Sequence, residues 1–282
     1  MEAEAIETDR LICGDAVAVM KTLPSGTVDL IIADPPYNLG KDYGNNTDRK
    51  ARHEYEEFTT QWLEEAVRLL KPNGSIYVFM GVRFISSLFL MMEDRCQLIF
   101  NGWITWHYTQ GMGRKLGFSP RHEDILYFTK STKFIFNVDD VRIPQKYFRK
   151  RNNMSGANPG DVWQFSHVHY CSTERQEHPT QKPEALLERI ILASSNEKNV
   201  ILDPFVGSGT TCRVAKLLNR KWIGIEINPE YISMSTKRIE DSSYQLDSVD
   251  PRTLRTPKDL PKVPSASLET SLSTGILSLP GL

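Results

Sequence analysis

The chain has 282 residues, of which 40% are hydrophobic and 24% are charged; this composition excludes a fully disordered polypeptide and fits one large or two small domains. Its 34 basic and 35 acidic residues give a net charge of −1, so the total charge neither indicates nor excludes a nucleic-acid partner. The acidic amino-terminal sequence does not resemble a signal peptide, and four widely spaced cysteines favour reduced thiols in a cytoplasmic protein over a disulfide framework or a zinc site.

Strand-like and helix-like patterns alternate in the amino-terminal part of the chain. Residues 28–33 are an apolar run that predicts a buried strand leading into Asp34. Over residues 62–70 apolar side chains recur at steps of three and four, which predicts an amphipathic helix. The Lys-Pro-Asn-Gly sequence at 71–74 predicts the end of that helix, and residues 75–79 predict the next strand.

The middle of the chain, residues 103–155, is basic and rich in aromatic residues. It holds ten Lys or Arg against four Asp or Glu, together with ten aromatic residues. Basic and aromatic side chains interleaved in this way are typical of a surface that binds a phosphate backbone and its bases. A solvated loop with its aromatic residues in the core is the alternative that remains open. The candidate DNA-binding residues are Arg114, Lys115, Arg142, Lys146, Arg149, Lys150 and Arg151.

The carboxyl-terminal part returns to the alternating pattern. A helix is predicted to begin after Pro183, a strand to span residues 200–203, and a further helix and strand to follow, the strand ending in Glu226. Strands that alternate with helices predict a Rossmann-like, doubly wound α/β sheet in which most strands are parallel. Residues 241–282 contain many Ser, Thr and Pro without strand or helix periodicity, and they are interpreted as a disordered tail.

A glycine-rich turn, Asp-Pro-Phe-Val-Gly-Ser-Gly-Thr-Thr at residues 203–211, lies between a predicted strand and a predicted helix. Gly207 and Gly209 allow a tight turn and a close approach of the backbone to a ligand. A phosphate-binding loop would need a lysine after its second glycine, and Thr210 stands there instead.

Acidic residues end the strands on both sides of this turn. Asp203 would repel a phosphate, but it suits a ligand that carries an ammonium or hydroxyl groups. Glu226 ends the following strand, where a carboxylate can accept hydrogen bonds from both hydroxyls of a ribose. The pattern therefore favours a nucleoside ligand with little phosphate, and S-adenosylmethionine fits it.

The second motif, Asp-Pro-Pro-Tyr at residues 34–37, directly follows the first predicted buried strand. Its two prolines make the turn rigid and carry no N–H group, so the Asp34 carboxylate and the Pro35 carbonyl remain as acceptors for an amino group. Tyr37 offers a ring on which a planar base can stack. Two acceptors that hold the hydrogens of an exocyclic amine can expose its lone pair to an activated methyl group.

In these motifs the chain resembles the amino-methylating DNA methyltransferases of the permuted β class, in which the catalytic motif precedes the cofactor motif. The resemblance covers roughly residues 11–240, and several of its motifs are short but occur in a specific order. The segments that carry it are Cys13-Gly-Asp15, Asp34-Pro-Pro-Tyr37, Lys71-Pro-Asn-Gly74, Arg121-His-Glu-Asp124, His178-Pro-Thr-Gln-Lys-Pro183, Asp203 to Thr211 and Gly224-Ile-Glu226.

The resemblance implies a role for each matched residue. Asp15 is expected at the adenine ring of the cofactor, Thr180 and Lys182 near its methionine end, and residues 34–37 at the target base. The implied catalytic residues are Asp34, Pro35, Pro36 and Tyr37. The implied cofactor-binding residues are Asp15, Thr180, Lys182, Asp203, Phe205, Gly207, Ser208, Gly209, Thr210 and Glu226. No metal is expected.

The resemblance also predicts the organisation of the chain. Residues 1–102 form the catalytic half of the methyltransferase domain, residues 103–175 an inserted target-recognition region, residues 176–240 the cofactor-binding half, and residues 241–282 the tail. The family pattern does not require this tail.

The resulting hypothesis is a site-specific methyltransferase that flips a base out of double-stranded DNA and methylates it directly. An aspartate at the first position of the catalytic motif goes with adenine N6 in the resembling family, so Asp34 favours adenine. Cytosine N4 is the nearest alternative, followed by RNA methylation or an inactive DNA-binding partner. A homodimer, a separately encoded restriction endonuclease and a cytoplasmic, nucleoid-associated location in a bacterial or phage-infected cell complete the expectation.

Overall fold

The computed structural model describes residues 6–40, 48–109, 111, 113–143, 156–169 and 172–241. Within these residues the strands are β1 (Arg10–Cys13), β2 (Val28–Ala33), β3 (Leu70–Met80), β4 (Ile99–His107), β5 (His122–Thr129), β6 (Val162–Gln164), β7 (Val200–Asp203) and β8 (Lys221–Glu226). The α-helices are α1 (Ala16–Thr22), α2 (Arg52–Leu69), α3 (Ile85–Leu90), α4 (Glu184–Ser194), α5 (Thr210–Leu217) and α6 (Pro229–Glu240). A π-helical turn, Met91–Arg95, continues α3, and a short 3-10 helix spans Val138–Asp140.

The strands form one sheet in the order β1-β8-β7-β2-β3-β5-β4-β6. The neighbours from β1 to β3 are all parallel, β5 is antiparallel to both β3 and β4, and β6 is parallel to β4. Crossover helices connect the parallel strands, as a doubly wound sheet requires. The predicted α/β class with a mostly parallel sheet is confirmed.

The core lies on both faces of the central strands. All six residues of β2 are buried, and so is nearly the whole of β3 after Gly74. A strand covered on both faces has no polar alternation, which is why residues 28–33 are apolar except for Asp29, whose buried carboxylate pairs with Lys71 at 2.8 Å. The buried strand predicted from these residues is confirmed with the same bounds.

Helix α2 begins at Arg52, ten residues before the apolar spacing that predicts it. Its first turn is stabilised by the Glu54 carboxylate, which accepts a hydrogen bond from the backbone N–H of Ala51 at 3.0 Å. Tyr55 and Thr59 extend the buried face of the helix, but they do not count as apolar in a simple pattern. The early start was therefore invisible to apolar periodicity alone.

The helix ends at Leu69 as the 71–74 sequence predicts, but the following strand starts earlier than expected. Strand β3 begins at Leu70, and its pairing jumps from Val28–Leu70 to Leu30–Ser75. The intervening residues form an irregular, partly exposed stretch within the strand.

The basic middle segment is not wholly separate from the sheet. Strand β5 pairs directly with β3, and the predicted boundary at residue 103 falls inside β4. The antiparallel hairpin of β4 and β5 therefore extends the main sheet, while residues beyond it make the short strand β6 at the edge. The predicted tail lies outside the described residues, apart from Asp241.

One edge of the sheet collects the ends of several strands. β1, β2, β7 and β8 are parallel, so their last residues meet at this edge, where open α/β sheets bind ligands. Strand β5 runs in the opposite direction, so its first residues reach the same edge. Among the described residues, no helix combines the length and apolarity needed to span a membrane.

Candidate active site

The two sequence motifs line one cavity of about 360 Å³ at this edge of the sheet. The Asp34–Tyr37 corner forms one part of its wall and the turn after Asp203 forms another. The predicted residues that line it are Asp15, Asp34, Pro35, Pro36, Tyr37, Thr180, Lys182, Asp203, Phe205, Gly207, Ser208, Thr210 and Glu226. Residues far apart in the sequence therefore share one site large enough for a drug-sized ligand.

Asp34 is at the centre of a compact charged cluster. The hydroxyl of Tyr37 donates a hydrogen bond to Asp34 Oδ1 at 2.7 Å, and the ammonium of Lys182 donates to Asp34 Oδ2 at 2.5 Å. The same two donors also meet Glu123, whose Oε2 lies 3.1 Å from the Tyr37 hydroxyl and 3.3 Å from Lys182 Nζ. Two carboxylates thus share one ammonium and one phenol.

Sequence reasoning missed Glu123 as a site residue. It belongs to the Arg121–Asp124 motif, and as the second residue of β5 it is brought to the site edge because that strand is antiparallel to β3. The acidic pair Glu123 and Asp124 within this motif was a usable signal, but only the strand order shows that it lies at the site.

Lys182 lines the cavity and contacts the catalytic corner. Its side chain is 8% exposed, and its ammonium lies 5.4 Å from the ring centre of Tyr37 and 5.3 Å from that of Phe79. It is therefore held against the catalytic corner by two carboxylates and two aromatic rings. Its predicted place at the methionine end of a cofactor remains untested.

The charges of this cluster depend on one another. Burial raises the pKa of Asp34 more than the neighbouring Lys182 lowers it. For Glu123 burial also opposes ionisation, but Lys182, His167 and the hydrogen bond from Tyr37 together outweigh it and lower the pKa. Burial disfavours the charged form of Lys182, yet the carboxylates of Asp34 and Glu123 together raise its pKa and keep it cationic.

The double-proline corner is braced from outside. The Tyr55 hydroxyl donates to the carbonyl of Pro36 at 2.8 Å, so that carbonyl is already engaged. Asn38 has φ +56° and exchanges two hydrogen bonds with the Lys50 backbone, its side-chain oxygen accepting at 2.6 Å and its amide donating at 3.1 Å. These contacts fix the direction in which the corner presents Asp34. Tyr37 lines the cavity but is only 9% exposed, so its ring is largely covered in this state.

The two glycines of the turn have different tasks. Gly207 has φ +48° and lines the cavity, and a Cβ atom there would lie 2.8 Å from Nε2 of His178. Gly209 has φ +80°, and a Cβ atom there would lie 2.9 Å from Cβ of Ser235 on α6. Gly207 therefore serves the cavity, whereas Gly209 allows α6 to pack against the turn.

Asp203 and Glu226 both line the cavity. Asp203 Oδ1 accepts a hydrogen bond from the Phe205 backbone at 3.0 Å, and burial raises the pKa of this carboxyl to about 7. Glu226 accepts from the backbone N–H groups of Gly207 at 3.0 Å and Asn228 at 2.8 Å, and burial raises its pKa as well. Both carboxyls are thus fixed in place and poorly solvated.

This donor set fits S-adenosylmethionine. The ligand carries a sulfonium and an ammonium group as well as a ribose and a purine. The cavity offers two strand-end carboxyls, Asp203 buried and Glu226 partly buried, with a close backbone approach at Gly207. Asp15 lines the same cavity while one of its oxygens accepts from the Ala18 backbone at 2.9 Å and caps α1. Phe205 adds an apolar wall whose ring packs edge-on against Trp62 at 5.4 Å.

The predicted DNA-binding residues do not lie together on one surface among the residues that the structure describes. Arg114 and Lys115 are exposed on the loop between β4 and β5. Arg142 is held elsewhere, because its guanidinium pairs with Asp139 at 2.7 Å and donates to the Gly156 carbonyl at 3.2 Å. The guanidinium of Arg142 therefore supports its own loop. Lys146, Arg149, Lys150 and Arg151 lie outside the described residues.

In the described ranges, no group of three or more His, Cys, Asp or Glu side chains is arranged to hold a metal ion. His167 packs its ring against Tyr108 at 3.8 Å and Trp106 at 4.9 Å. It is therefore part of an aromatic cluster behind the catalytic corner.

Comparison with known proteins adds an independent observation. Residues 28–237 match the N6_N4_Mtase family, described as DNA methylase. The chain is 57% identical over 252 residues to the type II methyltransferase M.HpaI of Haemophilus parainfluenzae, a match that covers 89% of this chain and 80% of that protein. It is 38% identical over 251 residues to the DNA adenine methyltransferase YhdJ of Escherichia coli strain K12, covering 84% and 85% of the two chains.

Solved structures with the same fold are also found. The M1.HpyAVI complex with S-adenosylmethionine aligns with a TM-score of 0.58 and 28% identity, covering 81% of this chain and 98% of the other. The cytosine-N4-specific PvuII DNA methyltransferase aligns with a TM-score of 0.68 over 86% and 90% of the two chains. At 21% identity this second likeness shows a shared fold alone.

Proposed function

The chain belongs to the DNA methylase family that residues 28–237 match, and from this premise we propose that it methylates the N6 amino group of adenine at a short specific sequence in double-stranded DNA. It is a methyltransferase that uses S-adenosylmethionine. The observation that carries the proposal is that the Asp34 corner and the turn after Asp203 line one cavity. Asp34 at the first position of the corner, and a similar protein named as an adenine methyltransferase, support adenine over cytosine.

When bound, S-adenosylmethionine supplies an electrophilic methyl group on a sulfonium. Asp203 would hold the ammonium of its methionine end, and Glu226, which ends β8, would hold the ribose hydroxyls. Both carboxyls are held in position by hydrogen bonds from backbone N–H groups. They therefore need little reorganisation on binding, which favours affinity.

Asp34 orients the amine of the target base. A carboxylate has about four acceptor sites, and Tyr37 and Lys182 take two of those on Asp34. The remaining capacity can accept one hydrogen of an exocyclic amine while the neighbouring Pro35 carbonyl accepts the other. The amine is drawn toward a tetrahedral shape and its lone pair faces the cofactor side of the cavity. The methylated amine cation is acidic, so loss of its proton needs no strong base.

Lys182 keeps Asp34 ionised for this role. A buried carboxyl beside a second carboxyl would otherwise bind a proton and cease to accept hydrogen bonds. The ammonium between Asp34 and Glu123 offsets that tendency. Lys182 and Glu123 therefore act through Asp34 as positioning residues.

The cavity cannot be reached by a stacked base, so the target base must leave the duplex. Extrusion costs roughly a few kcal/mol. We assign the compensating contacts to the basic segment between residues 103 and 155. That assignment is supported by the excess of Lys and Arg in the segment and by the position of its β4–β5 loop at the cavity edge.

The function is tested by incubating the protein with methyl-labelled S-adenosylmethionine and DNA and then digesting the DNA to nucleosides. We expect the label in N6-methyldeoxyadenosine. Label in N4-methyldeoxycytidine would overturn the base assignment, and label in RNA but not in DNA would overturn the substrate. Binding of DNA without any label would indicate an inactive DNA-binding partner.

Asp34→Ala tests the mechanism. The variant should lose methyl transfer by at least about 1,000-fold, because an orienting acceptor in the transition state is removed, while cofactor and DNA binding change little. Glu93→Ala, which removes an exposed acid from the turn before β4, is the matched control and should keep full activity. Equal turnover of the two variants would refute the role of Asp34.

We also propose a biological context, a cellular location and an oligomeric state for the enzyme. Several similar proteins are named type II methyltransferases, which supports a restriction-modification context with a separately encoded endonuclease. We also propose a cytoplasmic, nucleoid-associated location and a homodimer. Size-exclusion chromatography with light scattering, with and without DNA, tests the dimer.

A further inference from the structure

Two highly exposed apolar residues lie close together in sequence on one loop. In the described part of the chain, Phe118 is 99% exposed and Leu116 is 90% exposed, more than any other large apolar residue. Only Gly117 separates them, and its φ of +81° is a conformation that glycine adopts without strain. Single exposed apolar residues are ordinary on protein surfaces, but an adjacent pair on a projecting turn indicates an interaction.

The loop rises from the active-site edge of the sheet. It joins β4 to β5, and its base is closed by the pairing of His107 with His122 and by a 3.0 Å hydrogen bond from the Tyr108 backbone to the Arg121 carbonyl. Glu123 of the charged cluster follows this base directly. Phe118 is five residues before Glu123, so their Cα atoms are at most about 18 Å apart.

The tip of the loop is held as a turn and carries positive charge. The Arg114 backbone N–H donates to Oγ of Ser119 at 2.8 Å across the apolar pair. Arg114 and Lys115 are both exposed beside Leu116. An apolar pair next to two cations is complementary to duplex DNA, which has phosphates on its outside and stacked bases inside. An interface with another protein chain would instead have further apolar surface around the pair.

We propose that Leu116 and Phe118 form a wedge that enters the DNA base stack where the target base has left it. This inference rests on the proposed function, since it assumes that a base is flipped into the cavity beside Asp34. Extrusion leaves a gap between the flanking base pairs, and apolar side chains that fill such a gap stabilise the open duplex. Arg114 and Lys115 then face the phosphates on either side of the gap.

The first experiment measures base extrusion without methyl transfer. A duplex carries 2-aminopurine in place of the target base, at the site identified by sequencing modified positions in DNA from cells that express the protein. Saturating wild-type protein should raise the fluorescence several-fold, because the probe leaves the stack. Phe118→Ala and Leu116→Ala should each lose at least half of this rise, and Phe118→Leu should retain most of it.

Phe136→Ala is the matched control. Phe136 is 42% exposed on the segment that follows β5, at the opposite end of that strand from Glu123. Its removal deletes an exposed aromatic ring far from the proposed wedge, so the fluorescence rise should be unchanged. A loss equal to that of Phe118→Ala would overturn the proposal.

The second experiment compares methyl transfer to paired and mispaired targets. Phe118→Ala should lower kcat/KM at least 10-fold on a matched duplex and less than 3-fold when the target base is mispaired, because a mispaired base is cheaper to extrude. Equal losses on both substrates, or no loss on either, would overturn the wedge. If the wild-type protein methylates neither substrate, the proposed function itself is wrong. This outcome differs from failure of the wedge, in which the wild-type protein is active but Phe118→Ala behaves alike on both substrates.

Discussion

At the scale of single residues, the site contains buried carboxyls whose partners differ. Asp34 and Glu123 share the ammonium of Lys182, so a cation lies within 3.3 Å of both. Asp203 is fixed by a backbone N–H group instead, and burial raises its pKa to about 7. The first pair is therefore compensated before substrate binds, whereas Asp203 is suited to gain a cation from its ligand.

Lys182→Met and Glu123→Gln should shift the pH profile in opposite directions. Removal of the ammonium raises the pKa of Asp34, so the acid limb of kcat/KM should move to higher pH and activity at pH 7 should fall by about 10- to 100-fold. Removal of the Glu123 charge lowers the pKa of Asp34, so the acid limb should move to lower pH. Kinetics from pH 5 to 9 measure both shifts. If the acid limb moved in the same direction for the two variants, the proposal that Lys182 and Glu123 both act on the pKa of Asp34 would be contradicted.

Cofactor binding should depend on the ionisation of Asp203. Because its pKa is raised to about 7, the carboxyl is protonated below that pH and cannot pair with an ammonium. The dissociation constant for S-adenosylmethionine should therefore rise by about 10-fold for each pH unit below 7. Above pH 7 it should be constant. Calorimetric titration with S-adenosylmethionine from pH 5.5 to 7.5 measures this dependence. Asp203→Asn should bind S-adenosylmethionine weakly, with a dissociation constant that does not change with pH. A dissociation constant that is independent of pH in the wild-type protein would contradict the role of Asp203 in binding the ammonium.

At the scale of elements, helix α6 holds the glycine-rich turn in place. Ser235 donates to the Gly207 carbonyl at 2.7 Å, and Arg238 donates to the Ser208 carbonyl at 3.1 Å and to Oγ1 of Thr210 at 2.8 Å. Arg238 also pairs with Glu184 of α4 at 2.7 Å, and it is only 5% exposed. Arg213 of α5 also pairs with Glu184, at 3.1 Å, so two buried guanidinium groups connect the helices behind the turn.

Arg238→Met should destabilise the fold as well as the turn. It leaves the buried Glu184 carboxylate with less compensation, and loss of one partner from such a pair costs about 3–5 kcal/mol of unfolding free energy. Lys237→Met on the exposed face of the same helix should cost less than about 0.5 kcal/mol. Urea unfolding of the two variants measures the difference. Equal stabilities would mean that Arg238 does not join the helices to the turn.

At the scale of the whole molecule, charge is distributed unevenly although the total is −1. The loop between β4 and β5, which carries Arg114 and Lys115, leaves the sheet at the same edge as the cavity, because β4 ends and β5 begins there. A neutral chain can therefore present a cationic surface to DNA at the site of catalysis, and DNA affinity should depend on that segment.

Arg149, Lys150 and Arg151 should contribute to this surface. Replacing all three with Ala should reduce the slope of log affinity against log salt by about 2.7, as expected for three lost phosphate contacts. A control that replaces Lys21, Lys198 and Lys237, exposed lysines near the amino ends of the parallel strands, should leave the slope unchanged. Fluorescence anisotropy with a labelled duplex at several salt concentrations provides the comparison. Equal slopes for the two triple variants would identify the basic cluster as a solvated loop.

The sequence by itself determined the local features of this protein. The buried strand 28–33, the turn after Asp203 and the acidic strand end at Glu226 follow from apolar runs, glycines and prolines that act on their nearest neighbours, and the structure contains all three. The α/β class followed from their alternation, and the comparisons confirm it.

Only the tertiary structure decided which groups meet. Lys182 and Asp34 are 148 residues apart, and Glu123 reaches them because β5 is antiparallel to β3. Strand order and direction depend on how whole elements pack, and no local pattern encodes them. For the same reason, the contact between Lys182 and Asp34 does not follow from their two motifs alone. Local chemistry specified the parts, and the packing of the sheet brought two carboxylates to one ammonium.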